Sequence, residues 1–137
     1  MIHGPLTHPQ LLAKLAACGH GSKILIADGN FPHATGVSHD TERIFLNLSP
    51  GLVTVDQVLA AIVSIVPLEA VEIMAEPLLG EAPAIKDFRE LLVGLPLISH
   101  ERNDFYETSR GRDVAVLIAT GDLRPFTNLL LTVGVRG

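Results

Sequence analysis

Apolar positions along this chain follow two rhythms, and the switch between them marks out the elements. Leu11, Leu12, Leu15 and Ala16 fall on one face at helical spacing. Thr7 stands where a cap belongs, Pro9 suits a first turn and Gly19 marks a stop. Lys23 to Asp28 follows as a β-branched apolar run of strand length, and Asn30, Pro32 and Gly36 punctuate a long loop after it. Arg43 to Leu48 reads as a second strand, closed by Ser49-Pro50-Gly51. Thr54 with Gln57 forms a capping box, opening a helix through Val55, Val58, Leu59, Ile62 and Ile65.

The second half repeats this alternation. Val71 to Met74 predicts a short strand, and Pro83 opens a helix carrying Ile85, Phe88, Leu91 and Leu92. A short strand is expected around Leu97-Ile98, and Asp113 to Ala119 is the clearest buried strand. The turn Gly121 to Pro125 leads into a last strand, Asn128 to Val135. Strands that are apolar throughout, without alternation, call for a sheet covered on both faces. The prediction is one α/β domain over residues 1–137, three layers deep, with a mostly buried sheet flanked by helices.

Composition adds one consequence. Of 137 residues, 47% are hydrophobic but only 4% aromatic, so the apolar mass is aliphatic and disorder is excluded. Charged residues make up 18%, against roughly 25% in an average soluble domain. A domain of this size buries only about 68% of its unfolded surface by itself. With so few charges to cover the rest, part of the exterior is expected to be a subunit interface.

Charge and cysteine usage exclude partners. The net charge is −5 and no basic run occurs, which argues against a nucleic-acid partner. Cys18 is the single cysteine, so no intrachain disulfide forms and a reducing compartment is expected. Met1-Ile2-His3-Gly4-Pro5 lacks the pattern of a signal peptide. The longest apolar stretch, Val58 to Val66, is too short to span a bilayer. The expectation is a cytoplasmic protein with no membrane partner.

Ligands in α/β sheets bind beyond the carboxyl ends of strands, and Asp28 closes the first strand in that position. A turn former or helix cap is its plain structural alternative. His20, between Gly19 and Gly21, precedes the same strand, and Asn30 and His33 follow it. A histidine so flanked has little side-chain crowding and is a natural proton shuttle, although a surface turn would also accept it. His20, Asp28, His33 and His39 are chemically acceptable metal ligands, but no pair has a specific ligand spacing. Ser22 and Ser38 lack a nucleophile elbow. Gly19-His20-Gly21-Ser22-Lys23 precedes a strand, whereas a phosphate loop follows one. A late polar cluster contains Arg102 and Asn128. Together, His20, Asp28, Arg102 and Asn128 suit a small polyhydroxylated ligand.

Several of these motifs, in this order, resemble a known family. Leu6-Thr7-His8-Pro9-Gln10-Leu11-Leu12, Gly19-His20-Gly21 and Ile26-Ala27-Asp28-Gly29-Asn30-Phe31-Pro32 are similar to the opening of the ribose pyranase / fucose mutarotase family. Arg102 with Phe105-Tyr106-Glu107, and Thr120-Gly121-Asp122 with Asn128-Leu129-Leu130-Leu131 and Gly134-Val135, resemble its C-terminal half. The resemblance implies interconversion of monosaccharide anomers, or of pyranose and furanose rings, without metal or nucleotide cofactor. It implies His20 as proton donor and Asp28 as a sugar ligand. Arginine at 102 marks the fucose branch, where the ribose branch has histidine. A Tyr-x-Asn triplet maps onto Phe126, Thr127 and Asn128, so one family hydroxyl is missing here. Its loss costs about 0.5–1.5 kcal/mol as a hydrogen bond, or roughly 10²–10⁴-fold in rate if it relays a proton. The resemblance further implies a homodecameric ring with sites completed by neighbouring subunits. Two rival functions stand beside this one: a non-catalytic sugar-binding or transport-accessory protein, and a metal-dependent hydrolase or isomerase using His20, Asp28 and His33.

Overall fold

The computed structural model describes residues 1–76 and 78–137. Helix α1 spans Pro9–Ala17, followed by strands β1 (Lys23–Ala27) and β2 (Glu42–Phe45) and helix α2 (Val55–Val63). Next come β3 (Leu68–Glu76), β4 (Gly80–Glu81), α3 (Pro83–Leu91) and β5 (Leu97–His100). Helix α4 (Arg102–Ser109) and strands β6 (Val114–Ala119) and β7 (Leu129–Val133) complete the chain.

The strands form one sheet in the order β2-β6-β1-β7-β3-β4, with β5 paired to β3. Strand β1 runs parallel to β6, as β2 does to β6 and β5 to β3. Only β7 and the short β4 run the other way. Inserted between β1 and β3, β7 leaves those two parallel to each other. The C-terminal ends of β1, β2, β3, β5 and β6 therefore share one edge of the sheet.

Both faces are covered, as the uninterrupted apolar strands predict. On one side α1, α2 and α3 pack through Leu11, Leu15, Leu59, Ile62, Ile85 and Phe88 against Ile24, Ile26, Ile73, Ile118 and Leu129. On the other, Phe105 of α4 and Phe31 and Val37 of the loop after β1 cover Leu25, Met74, Leu117 and Leu130. The fold is a three-layer α/β domain.

Local signals were legible to different degrees. The capping box is present: Thr54 accepts from the Gln57 amide and Gln57 from the Thr54 amide. The cap of α1 is a correction, because His8 and not Thr7 holds it, its Nδ1 accepting from Leu11 at 3.2 Å. Ala16 is exposed, so the α1 stripe is carried by Leu11 and Leu15. Helix α2 ends at Val63, before Ile65. Strand β3 is longer than predicted because pairing with β7 from Leu68 onward recruits Glu69 and Ala70, which have no strand signal of their own. Strand β2 ends at Phe45 and β7 covers only Leu129–Val133. Helix α4 falls in the late polar cluster, where the sequence shows no helical stripe. Its sole buried residues are Phe105 and Ser109, and its cap makes no side-chain bond.

Candidate functional site

Asp28 follows β1 directly, at the sheet edge where the parallel strands end. Its side chain is 2% exposed and its carboxylate is shared between two segments. Oδ1 accepts from the amides of Asn30 at 3.0 Å and Phe31 at 2.9 Å, which closes an Asx turn and starts the loop. Oδ2 accepts from the Thr127 amide at 3.2 Å. The Asp28 amide donates to Asn128 Oδ1 at 2.8 Å. The two segments, about a hundred positions apart in the chain, are thus stitched together by Asp28 and Asn128. Burial pushes the Asp28 carboxyl above the usual aspartate range, against the three amides that favour its charged form.

Between these segments lies a cleft of about 150 Å³, lined by Asp28, Asn30, Phe31, Met74, Tyr106, Pro125, Phe126 and Asn128. Asn128 spends its oxygen on Asp28, leaving its amide N–H groups as the donors it can offer to a ligand. Thr127 is fully buried, and its hydroxyl donates to the Arg124 carbonyl at 2.9 Å, so it acts on the cleft through its backbone. Phe126 has φ of 56°, the left-handed region that a bulky residue occupies only when its surroundings enforce it. Phe126 lines both the cleft and a neighbouring apolar hollow of about 560 Å³ shared with Glu76, Leu78, Leu79 and Arg102. Arg102 lies in that hollow at the start of α4, its Nε 3.9 Å from a Glu76 oxygen.

His20 is elsewhere. It precedes β1 and occupies the opposite sheet edge, separated from Asp28 by the length of the strand, about 15 Å at the usual rise. Its Nε2 lies 3.0 and 3.1 Å from the two oxygens of Glu69, at the start of β3. There it borders a hollow of about 310 Å³ with Cys18, Ile65, Pro67 and Arg136. Of the predicted residues, Asp28, Phe126, Thr127 and Asn128 meet, Arg102 stands alongside, and His20 does not join them within one chain.

The metal-ligand set does not converge either. His33 Nε2 is engaged by the Asp28 carbonyl at 2.8 Å, and His20 is a strand length away from both. Among the described residues no group of three or more His, Cys, Asp or Glu is disposed to hold a metal ion. No described helix is long and apolar enough to cross a membrane.

Phe31, Met74 and Tyr106 also wall the cleft, and none of them belongs to the polar set predicted for it. Tyr106 is the only tyrosine in the chain and packs edge-on to Phe31 with ring centroids 5.7 Å apart. Two adjacent aromatics, Phe105 and Tyr106, in an otherwise polar stretch were the available signal.

The family described as the RbsD / FucU transport protein family matches residues 1–136. A D-ribose pyranase of Paracidovorax citrulli is 33% identical over 131 residues, covering 95% of each chain. A fucose mutarotase of Mus musculus is 28% identical, covering 92% of this chain and 88% of its own. Among solved structures, Bacillus subtilis RbsD complexed with D-ribose superposes with a TM-score of 0.84 at 26% identity, over 100% of this chain and 99% of that one. The fucose mutarotase from Streptococcus pneumoniae in complex with L-fucose gives 0.83 at 26% identity, over the whole of both chains. With a matching family model over nearly its full length, and with the fold of both sugar complexes, the chain belongs to the RbsD / FucU family.

Proposed function

We propose that this protein is a cofactor-independent sugar isomerase, a mutarotase that interconverts the anomers of a free monosaccharide, with a fucose-like sugar as substrate. The observation that carries the reading is the cleft at the C-terminal edge of the parallel strands, where Asp28, Asn128 and the strained Phe126-Thr127 backbone meet. Sheet edges of this kind are where α/β folds bind ligands. Arg102, which the resemblance ties to the fucose branch, supports that sugar over ribose, the substrate named for several relatives.

Mutarotation needs two small proton transfers. One protonates the ring oxygen of the cyclic hemiacetal, and the other removes the proton of the anomeric hydroxyl. The C1–O5 bond breaks to give the open aldehyde, which turns and recloses on its other face. Modest general acid–base catalysis is enough for such a reaction near neutral pH. In our reading His20 gives the proton, Asp28 and Asn128 hold sugar hydroxyls, and the backbone at Phe126 and Thr127 completes the grip. Arg102 contributes from the adjoining wall.

The distance between His20 and Asp28 supports a shared site. A single chain holds them at opposite ends of β1, so the proton donor of each cleft comes from a neighbouring copy. We read the assembly as a homo-oligomer, a decamer as the family resemblance implies. A single cysteine, Cys18, supports a reducing cytoplasm as its place of work.

Magnetisation-transfer NMR between the anomeric protons of fucose, ribose, rhamnose and galactose tests the function. Exchange faster than in buffer, fastest for fucose and lost in His20→Ala, is expected. Binding without acceleration for any sugar would leave the non-catalytic sugar-binding reading, which the missing hydroxyl at Phe126 favours. Activity abolished by chelator would support the metal-dependent one.

A further inference from the structure

Arg124 is gripped by two carboxylates near the cleft, yet it does not line it. Its Nε donates to Asp122 Oδ1 at 3.0 Å, and one terminal nitrogen donates to Asp122 Oδ2 at 2.6 Å and to Asp56. Its backbone amide donates to the same Asp122 Oδ1 at 3.1 Å. The guanidinium carbon lies 5.5 Å from the centre of the Phe88 ring of α3. Asp122 is buried and also accepts from the Val55 amide, the first of α2, at 2.9 Å. Asp122 thus satisfies the Val55 amide and Thr54 the Gln57 amide, so the arginine is not needed to cap that helix.

What Arg124 does add is a fixed origin for the segment that follows. Its carbonyl accepts from Thr127 Oγ1, which folds residues 124–127 into a tight loop. Pro125 has a locked φ and no N–H to donate. Phe126 then sits at φ of 56°, and Thr127 reaches Asp28. A non-glycine residue in that region relaxes unless both flanks are held. Asp28 holds one flank, and the other rests on Arg124.

We propose that Arg124 is a positioning residue: clamped between Asp56 and Asp122, it holds the Phe126–Asn128 segment in the conformation that faces the sugar. This rests on the cleft being the sugar site, but the clamp itself has a readout that needs no sugar. In Arg124→Ala, hydrogen exchange at the Thr127 amide is expected to speed up about tenfold or more, while amides of Leu129–Leu131 in β7 keep their protection. Unchanged protection at Thr127, or a uniform loss across β7, overturns the clamp.

The kinetic arm separates positioning from plain support. With Arg124→Ala the KM of the favoured sugar rises on the order of tenfold, while kcat stays within about threefold, as expected when pre-organisation and not proton transfer is lost. A lower melting temperature with KM unchanged makes Arg124 merely structural and overturns the proposal. Where Arg124→Ala folds poorly, Arg124→Lys keeps the charge and loses the planar fork, and the same comparison applies to it. A wild-type protein that accelerates no sugar refutes the proposed function, while hydrogen exchange still decides the clamp.

Discussion

Asp28 combines two duties that a sequence motif presents as alternatives. It is a turn former, through Asn30 and Phe31, and it also anchors the far wall of the cleft through Thr127. Substituting Asp28→Asn keeps the shape but turns one oxygen into an amide that cannot accept. One of the three N–H groups then loses its partner, at a cost of about 1–3 kcal/mol if it stays buried. Chemical denaturation should show that loss, and the sugar-exchange rate should fall further than stability alone explains, because the segment carrying Phe126 and Asn128 loses its tie. Wild-type exchange in Asp28→Asn would remove Asp28 from the site. A glycine in the same edge shows the reverse situation, in which no side chain is permitted. A Cβ on Gly121 would meet the carbonyl oxygens of Leu52 and Ser49 at 2.2 and 2.4 Å. Gly121→Ala should cost about 1–3 kcal/mol in the same denaturation assay.

Among the elements, strands β1, β3 and β5 are tied by a polar strut as well as by their ladders. Glu72 of β3 accepts from Lys23 of β1 at 2.9 Å and lies 2.8 Å from Nε2 of His100 at the end of β5. Asp113 stands 3.6 Å from the same lysine. Burial alone would raise the Glu72 carboxyl, but the bonds from Lys23 and His100 outweigh it and hold it below the usual glutamate range. A carboxyl depressed in the fold contributes stability that is complete above its unfolded pKa, about 4.3. That stability is lost as pH falls through the folded value. Burial alone would lower the Lys23 pKa, but Glu72 and Asp113 outweigh it and leave it raised. Its contribution is present below about 10.4 and is lost as pH rises through the folded value. Glu72→Gln should flatten both limbs of a stability–pH curve measured by urea unfolding. An unchanged acid limb would assign acid sensitivity to Asp122, which Arg124 depresses after burial raises it.

Legibility also differs by element. The capping box at Thr54 was readable because both of its bonds close within four residues. Helix α4 was not, because only Phe105 and Ser109 of its eight residues are buried and the polar-rich stretch carries no helical stripe. Its helical state is decided by packing against β3 and β5, which the local sequence does not encode.

For the whole molecule, the decisive quantity is the separation of His20 from the cleft. If each site is built from two copies, His20→Ala and Asp28→Asn proteins are each inactive. Mixing them under conditions that exchange subunits then restores some sites with both residues intact. Partial recovery of sugar exchange in the mixture, and none when either variant is mixed with itself, is the expected result. No recovery in proven hetero-oligomers would place the whole site in one chain. Exposed Phe45, Leu48 and Leu123, with relative accessibilities of 59%, 82% and 62%, fit the expectation that some apolar surface is covered by another copy.

Read without the fold, the chain already specifies the layered α/β class, the places of most strands, the capping box and His20 and Asp28 at either end of one strand. All of these rest on spacing within a few residues, where periodicity and turn chemistry act directly. Tertiary structure decided which distant residues share the cleft. Asn128 and Thr127 reach Asp28 only because β7 inserts antiparallel between β1 and β3. It also placed Arg102 beside the cleft and bent Phe126 into a conformation its own residue type disfavours. Strand neighbours and register follow from which apolar faces bury together, a long-range balance that no local window contains.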